Sequence, residues 1–125
     1  MTENELSNII IGEAIHVHQQ LGPGLLESVY ETCLVHRLFK KGIKIETQKP
    51  IPLVFEEVRL ECGFRCDVLV ENKVIIEVKA VDALNDIHLA QVLIYLRLTN
   101  VKLGLLMNFN VLKMKDGIRR VVNNL

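Results

Sequence analysis

The sequence predicts an α/β domain. Two helical stretches precede a block of alternating, β-branched strands, and a third helix followed by a continuous apolar run comes after it. Half of the 125 residues are apolar, enough to bury a core without disulfide or metal staples. No repeat, low-complexity segment or linker interrupts the chain, so residues 1–125 are expected to form one domain.

Residues 4–20 carry Leu6, Ile9, Ile10, Ala14, Ile15 and Val17 at helical spacing. Gly22-Pro23-Gly24 ends that helix. A second is expected from Leu25 to Lys41, with Leu26, Val29, Tyr30, Cys33, Leu34 and Leu38 turned inward and Gly42 as its stop. The period then changes. "IKIETQKPIPLVF" reads as extended, its two prolines marking an edge or bulged strand. "VRLECGFRCDVLV" and "KVIIEVKAV" alternate and are joined by the turn-prone "ENK".

Helical spacing returns from Leu84 to Thr99, with Ile87, Leu89, Val92, Leu93 and Leu96 apolar. "KLGLLMNF" suits a buried central strand, and "VLKMKDGIRRVV" is expected to close as a hairpin across Asp116-Gly117.

Lysine plus arginine equals aspartate plus glutamate, fifteen of each sign. No overall cationic field therefore announces nucleic acid or an acidic membrane, and any such binding must come from a local patch. The first apolar run, "NIII", is broken by Gly12 and Glu13, so no membrane association and a cytoplasmic location are expected. Cys33, Cys62 and Cys66 are an odd set without spacing for a zinc group, and are expected as buried thiols. His16 and His18, two apart, fall on different helix faces.

Chemistry concentrates in "CDVLVENKVIIEVKA". With Glu71 to Lys73 as the turn, Val70 pairs with Val74 and Asp67 stands across from Glu77. The strand period brings Lys79 to the same face. Adjacent carboxylates repel unless a positive group lies between them, and magnesium favours one or two carboxylates completed by water and phosphate oxygens. A lysine beside such an ion can orient an attacking water and offset charge on a phosphate. The same spacing also describes an exposed strand face with a Glu77–Lys79 ion pair.

Asp67 followed by Glu77-Val78-Lys79 resembles the catalytic signature of the PD-(D/E)XK nuclease superfamily, with Cys66 where the short motif has proline. Gln91 and Tyr95 resemble the QxxxY motif of RecB-type nuclease domains. Gly24, Glu27 and Tyr30 in "LGPGLLESVYE" resemble the signature of the GxxExxY family within that superfamily. The resemblance implies a restriction-endonuclease-like core, a mixed central sheet flanked by helices on both faces. It implies metal-dependent hydrolysis of phosphodiester bonds in DNA, serving repair, recombination or defence.

Under that resemblance Glu27, Asp67, Glu77 and the Val78 carbonyl would hold Mg2+, or Mn2+ in its place. Asp67, Glu77, Lys79 and Gln91 would be catalytic, and Tyr30, His88 and Tyr95 would contact substrate. DNA is the implied partner, no membrane is involved, and a homo-oligomer stays open. Glu27 also fits as an acid in a first helical turn, where it complements the dipole, and His88 as a residue on a solvated helix edge. Two further readings stand beside the nuclease. One is a catalytically silent nuclease-fold module that binds or regulates; the other is a hydrolase of some other phosphorylated molecule.

Overall fold

The computed structural model describes residues 1–125, in which three helices surround a five-stranded sheet. Helix α1 (Glu3–Leu21) starts where the Thr2 side chain accepts the Glu5 amide at 3.1 Å. Its inward positions Leu6, Ile10, Ala14 and Val17 recur at three- and four-residue steps. Helix α2 (Glu27–Lys40) buries Tyr30, Leu34 and Leu38. Buried Glu13 on α1 ties the two helices, accepting from Arg37 Nε at 2.7 Å with Lys41 Nζ at 3.4 Å.

The sheet runs β1 (Ile45–Phe55), β2 (Val58–Val70), β3 (Val74–Lys79), β4 (Leu103–Asn108) and β5 (Ile118–Val122) in spatial order. Only β3 and β4 are parallel. The long connection they require contains helix α3 (Asp86–Thr99). The two helical layers cover opposite faces of the sheet. Leu6, Tyr30, Leu34, Val68, Val78 and Met107 belong to the core under α1 and α2. Ile75, Val92, Leu96 and Leu106 belong to the smaller core under α3. The expected mixed sheet with helices on both faces is the observed one.

Register follows the sequence in the centre. Glu71 and Asn72 both take positive φ, and the Lys73 amide reaches the Val70 carbonyl at 2.9 Å, so "ENK" makes a primed turn that pairs Val70 with Val74. β1 is an edge strand whose register shifts between Ile51 and Leu53, as its prolines require.

Three expectations are corrected. Leu26 and Val29 are exposed: Leu26 is the extended N-cap residue of α2, and Val29 lies off the helix face that buries Tyr30, Leu34 and Leu38. Asp116-Gly117 is not a two-residue hairpin turn. It closes a 3₁₀ turn (Met114–Gly117), and β5 starts after it to pair back onto β4. A Cβ on Gly117 would stand 2.0 Å from the Asn108 carbonyl oxygen, so glycine is needed there for close backbone approach. Of the three cysteines, Cys66 alone is fully buried; Cys62 is exposed on the outer part of the β1–β2 hairpin, where Val54, Phe55, Val58 and Leu60 are exposed too.

Candidate active site where β2 and β3 part

The last paired rung at this end of β2 and β3 is Val68 with Ile76. Beyond it, side chains replace the backbone ladder. The Asp67 amide donates to Glu77 Oε1 at 3.3 Å, and the Val78 amide donates to Asp67 Oδ2 at 3.0 Å. Each carboxylate thereby accepts from the backbone of the opposite strand. The register expected from the "ENK" turn delivers this pair.

The single face expected for the two acids is corrected: they open to different sides of the sheet. Glu77 alternates with Ile75 onto the α3 side and is 5 % exposed. Asp67 is half-buried and lines a cleft of about 210 Å³ under α2 with Glu27, Ser28, Glu31, Gln48 and Val78. Burial, then the charge of Asp67, pushes the Glu77 carboxyl up to about 9. Glu77 therefore carries its proton at neutral pH until a cation or another positive group stands beside it.

Lys79, half-buried, lies two residues beyond Glu77, and its nearby charge lowers the Glu77 value slightly against those larger effects. The strand end is braced by Asn108, which is buried. Its Oδ1 accepts the Val81 amide at 3.1 Å and its Nδ2 donates to the Val81 carbonyl at 2.9 Å. The Lys79 carbonyl accepts the Phe109 amide at 2.9 Å.

Across the cleft, Glu27 is exposed on the first turn of α2. Glu31, one turn later, accepts from Gln48 Nε2, which lies 3.0 and 3.2 Å from its two carboxylate oxygens, and the same Nε2 donates to Asp67 Oδ1 at 3.3 Å. Burial raises the Glu31 carboxyl, more than the Gln48 hydrogen bond lowers it, and the charges of Asp67 and Glu27 add to the rise. Glu31, Gln48 and Asn108 escape the sequence reading. Only Glu31 had a signal, its four-residue step from Glu27 on one helix face.

On the α3 side, Tyr95 is half-buried, stacked on Phe64 with ring centroids 3.8 Å apart. Burial first, then the nearby charges of Glu77 and Asp67, holds its hydroxyl above the usual phenol value. Gln91, one turn before it, is exposed, and its side chain is hydrogen-bonded to no other residue. His88 completes the α3 capping box, its Nδ1 accepting the Asn85 amide at 3.2 Å. One ring nitrogen of that residue is therefore already engaged.

Tyr30 corrects the expectation of a substrate contact. It is fully buried, stacked on Phe109 with centroids 4.7 Å apart. Its hydroxyl donates to the Gly22 carbonyl at 2.6 Å and accepts the Leu25 amide at 3.0 Å. Gly22 and Gly24 both take positive φ, and Tyr30 fastens the turn they make. The spacing of Gly24, Glu27 and Tyr30 thus sets a turn, with Glu27 on the side of it that meets the cleft.

A hard divalent cation fits the donors at this place. Asp67 and Glu77 offer carboxylate oxygens as donors, their mutual repulsion calls for positive charge, and one or two protein carboxylates suffice for magnesium. No three acidic, histidine or cysteine side chains converge on one point, so Glu27 does not complete a closed cage with them. Several basic side chains have other partners: Lys41 with Glu13, Lys49 with Glu46 and Arg120 with Asn4. No helix is long and apolar enough to cross a membrane.

A family model described as the PD-(D/E)XK nuclease superfamily matches residues 4–121. No curated protein and no solved structure was found to match the chain. The matched span contains every candidate residue, from Glu27 to Tyr95, and both helical layers.

Proposed function

The chain belongs to the PD-(D/E)XK nuclease superfamily, and on that premise we propose that it is a metal-dependent nuclease hydrolysing phosphodiester bonds in DNA. The reading rests on one observation above the others, the reciprocal hydrogen bonding of Asp67 and Glu77 where β2 and β3 separate. Magnesium or manganese would be held by Asp67, Glu77 and the Val78 carbonyl, with Glu27 as an outlying carboxylate, and would supply Lewis-acid polarisation of the phosphate and a water of lowered pKa.

Asp67 enters this chemistry already oriented, one oxygen on the Val78 amide and the other near Gln48. Glu77 must give up the proton it holds up to about 9 before it can act as a ligand. Lys79 orients the attacking water and offsets negative charge as it builds on the phosphate. Gln91, free of protein partners, donates to a substrate phosphate, and the Tyr95 hydroxyl does the same from one turn away. His88 keeps Nε2 for such a contact because its cap uses Nδ1. The pattern of Gly24, Glu27 and Tyr30 supports the GxxExxY branch of the superfamily as the finer placement.

A second reading, a nuclease-fold module that binds without cutting, is favoured by the burial of Glu77. A protonated carboxyl hydrogen-bonded between two strands serves equally as a structural lock. Incubating the purified protein with single-stranded, duplex and branched DNA, and with RNA, separates the two. Cleavage that needs manganese or magnesium and disappears in Glu77→Ala supports the nuclease. Binding without cleavage under every metal condition supports the module.

A further inference from the structure

We propose that Gln48 is a positioning residue for Asp67, holding its carboxylate for a divalent cation with a neutral donor; the inference rests on the metal-dependent reading of the site. Gln48 sits in β1 on the rung opposite Asp67, between the pairs Thr47 with Val68 and Lys49 with Cys66. Its φ is 50°, left-handed backbone in the middle of an extended strand. Glutamine has no short side chain to relieve that conformation locally, so something beyond the backbone must hold it there.

What holds it is the amide. Nε2 lies 3.0 and 3.2 Å from the two oxygens of Glu31 and 3.3 Å from Asp67 Oδ1. Both neighbours are carboxylates, which accept only, so the nitrogen and not the oxygen of the amide must face them. One hydrogen serves Glu31 and the other serves Asp67. With Oδ2 on the Val78 amide, both oxygens of Asp67 are then restrained.

β2 changes face at the same rung. Cys66 belongs to the core under α3, whereas Val68 belongs to the core under α1 and α2, although a regular strand would put both on one side. The left-handed Gln48 and the twisted β2 segment face each other, and the kink is what brings Asp67 into the α2 cleft. A lysine in place of Gln48 could make similar hydrogen bonds. It would also cancel the negative charge that attracts a cation, which an amide leaves intact.

Two substitutions and two readouts test this. Glycine adopts φ of 50° without strain, so Gln48→Gly removes the side chain while keeping or raising the melting temperature of the metal-free protein. Manganese affinity, measured by calorimetry with the metal alone, should fall by roughly tenfold or more in Gln48→Gly. In Gln48→Lys it should fall as well, even though a donor is restored. Hydrogen exchange at the Val78 amide, measured without metal, should accelerate by about tenfold in Gln48→Gly as Asp67 loses its orientation. An unchanged Val78 amide in a variant of unchanged melting temperature overturns the positioning role, whatever manganese does. So does wild-type manganese affinity in Gln48→Gly. If the wild type binds no manganese yet Gln48→Gly frees the Val78 amide, positioning of Asp67 stands and the metal-dependent reading of the site fails instead.

Discussion

Asp67 and Glu77 complete each other's strands: the Glu77 carboxyl accepts the Asp67 amide at 3.3 Å, and the Asp67 carboxylate accepts the amide of Val78 at 3.0 Å. Two acids that elsewhere would drive the strands apart here substitute for the missing ladder. The arrangement is tolerable because Glu77 keeps its proton, and its consequences can be measured.

The first is a pH dependence. The folded Glu77 carboxyl titrates at about 9, above the 4.5 of an unperturbed glutamate, so the folded state holds a proton that the unfolded chain releases. Its contribution to stability is fully present below about 4.5 and is lost as pH rises through about 9. Glu77→Gln, which cannot ionise, should gain stability relative to metal-free wild type as pH climbs across that window. Parallel melting temperatures for the two proteins from pH 5 to 9 would rule the shift out.

Metal should reverse that trend. A divalent cation pairs with the ionised form, so manganese binding should release a proton at neutral pH, tighten as pH rises and raise the melting temperature with concentration. Asp67→Asn should blunt the rise, because it removes one of two adjacent carboxylates. Calorimetry in buffers of different ionisation enthalpy reads the proton directly, and an identical metal response in Asp67→Asn would place the ion elsewhere.

Lys79→Ala and Glu77→Ala should part company. Lys79 acts on water and developing phosphate charge, so its loss should lower cleavage by about 10²–10³ while manganese affinity persists or tightens. Glu77→Ala should lose affinity and cleavage together. Cleavage by Lys79→Ala at the wild-type rate, with contaminating nuclease excluded, would remove Lys79 from the mechanism.

Tyr30 belongs to stability. Tyr30→Phe leaves the Phe109 stack in place but strands the Gly22 carbonyl and the Leu25 amide, at a cost of about 1–3 kcal/mol. Urea unfolding should register that loss while manganese affinity stays at the wild-type value. Lost metal binding in a folded Tyr30→Phe would return this tyrosine to the site.

The sequence by itself determined the central strands, their register and the pairing of Asp67 with Glu77. Alternation over 68–70 and 74–79 sets which of those residues face together, and a turn at 71–73 leaves one way to align them. The same local chemistry ends α1 at Gly22 and caps α3 at Asn85, and it marks β1 as an edge through its prolines. Those features are encoded within about ten residues of chain, the range over which period and turn geometry act.

Only the tertiary structure decided what each polar side chain meets. Tyr30 is spaced to face the cleft with Glu27, yet Phe109 lies beneath it and the turn carbonyl of Gly22 takes its hydroxyl. Gln48 is one polar residue in an edge strand until Glu31 and Asp67, 17 and 19 residues away, converge on its amide. Asp116-Gly117 carries a turn signature, but the Asn108 carbonyl packed against Gly117 makes it a close crossing. Phe109, Glu31 and Asp67 are distant in sequence from the residues they hold, and Asn108 meets Gly117 through the pairing of β4 with β5, so each contact exists only once packing has brought the two segments together.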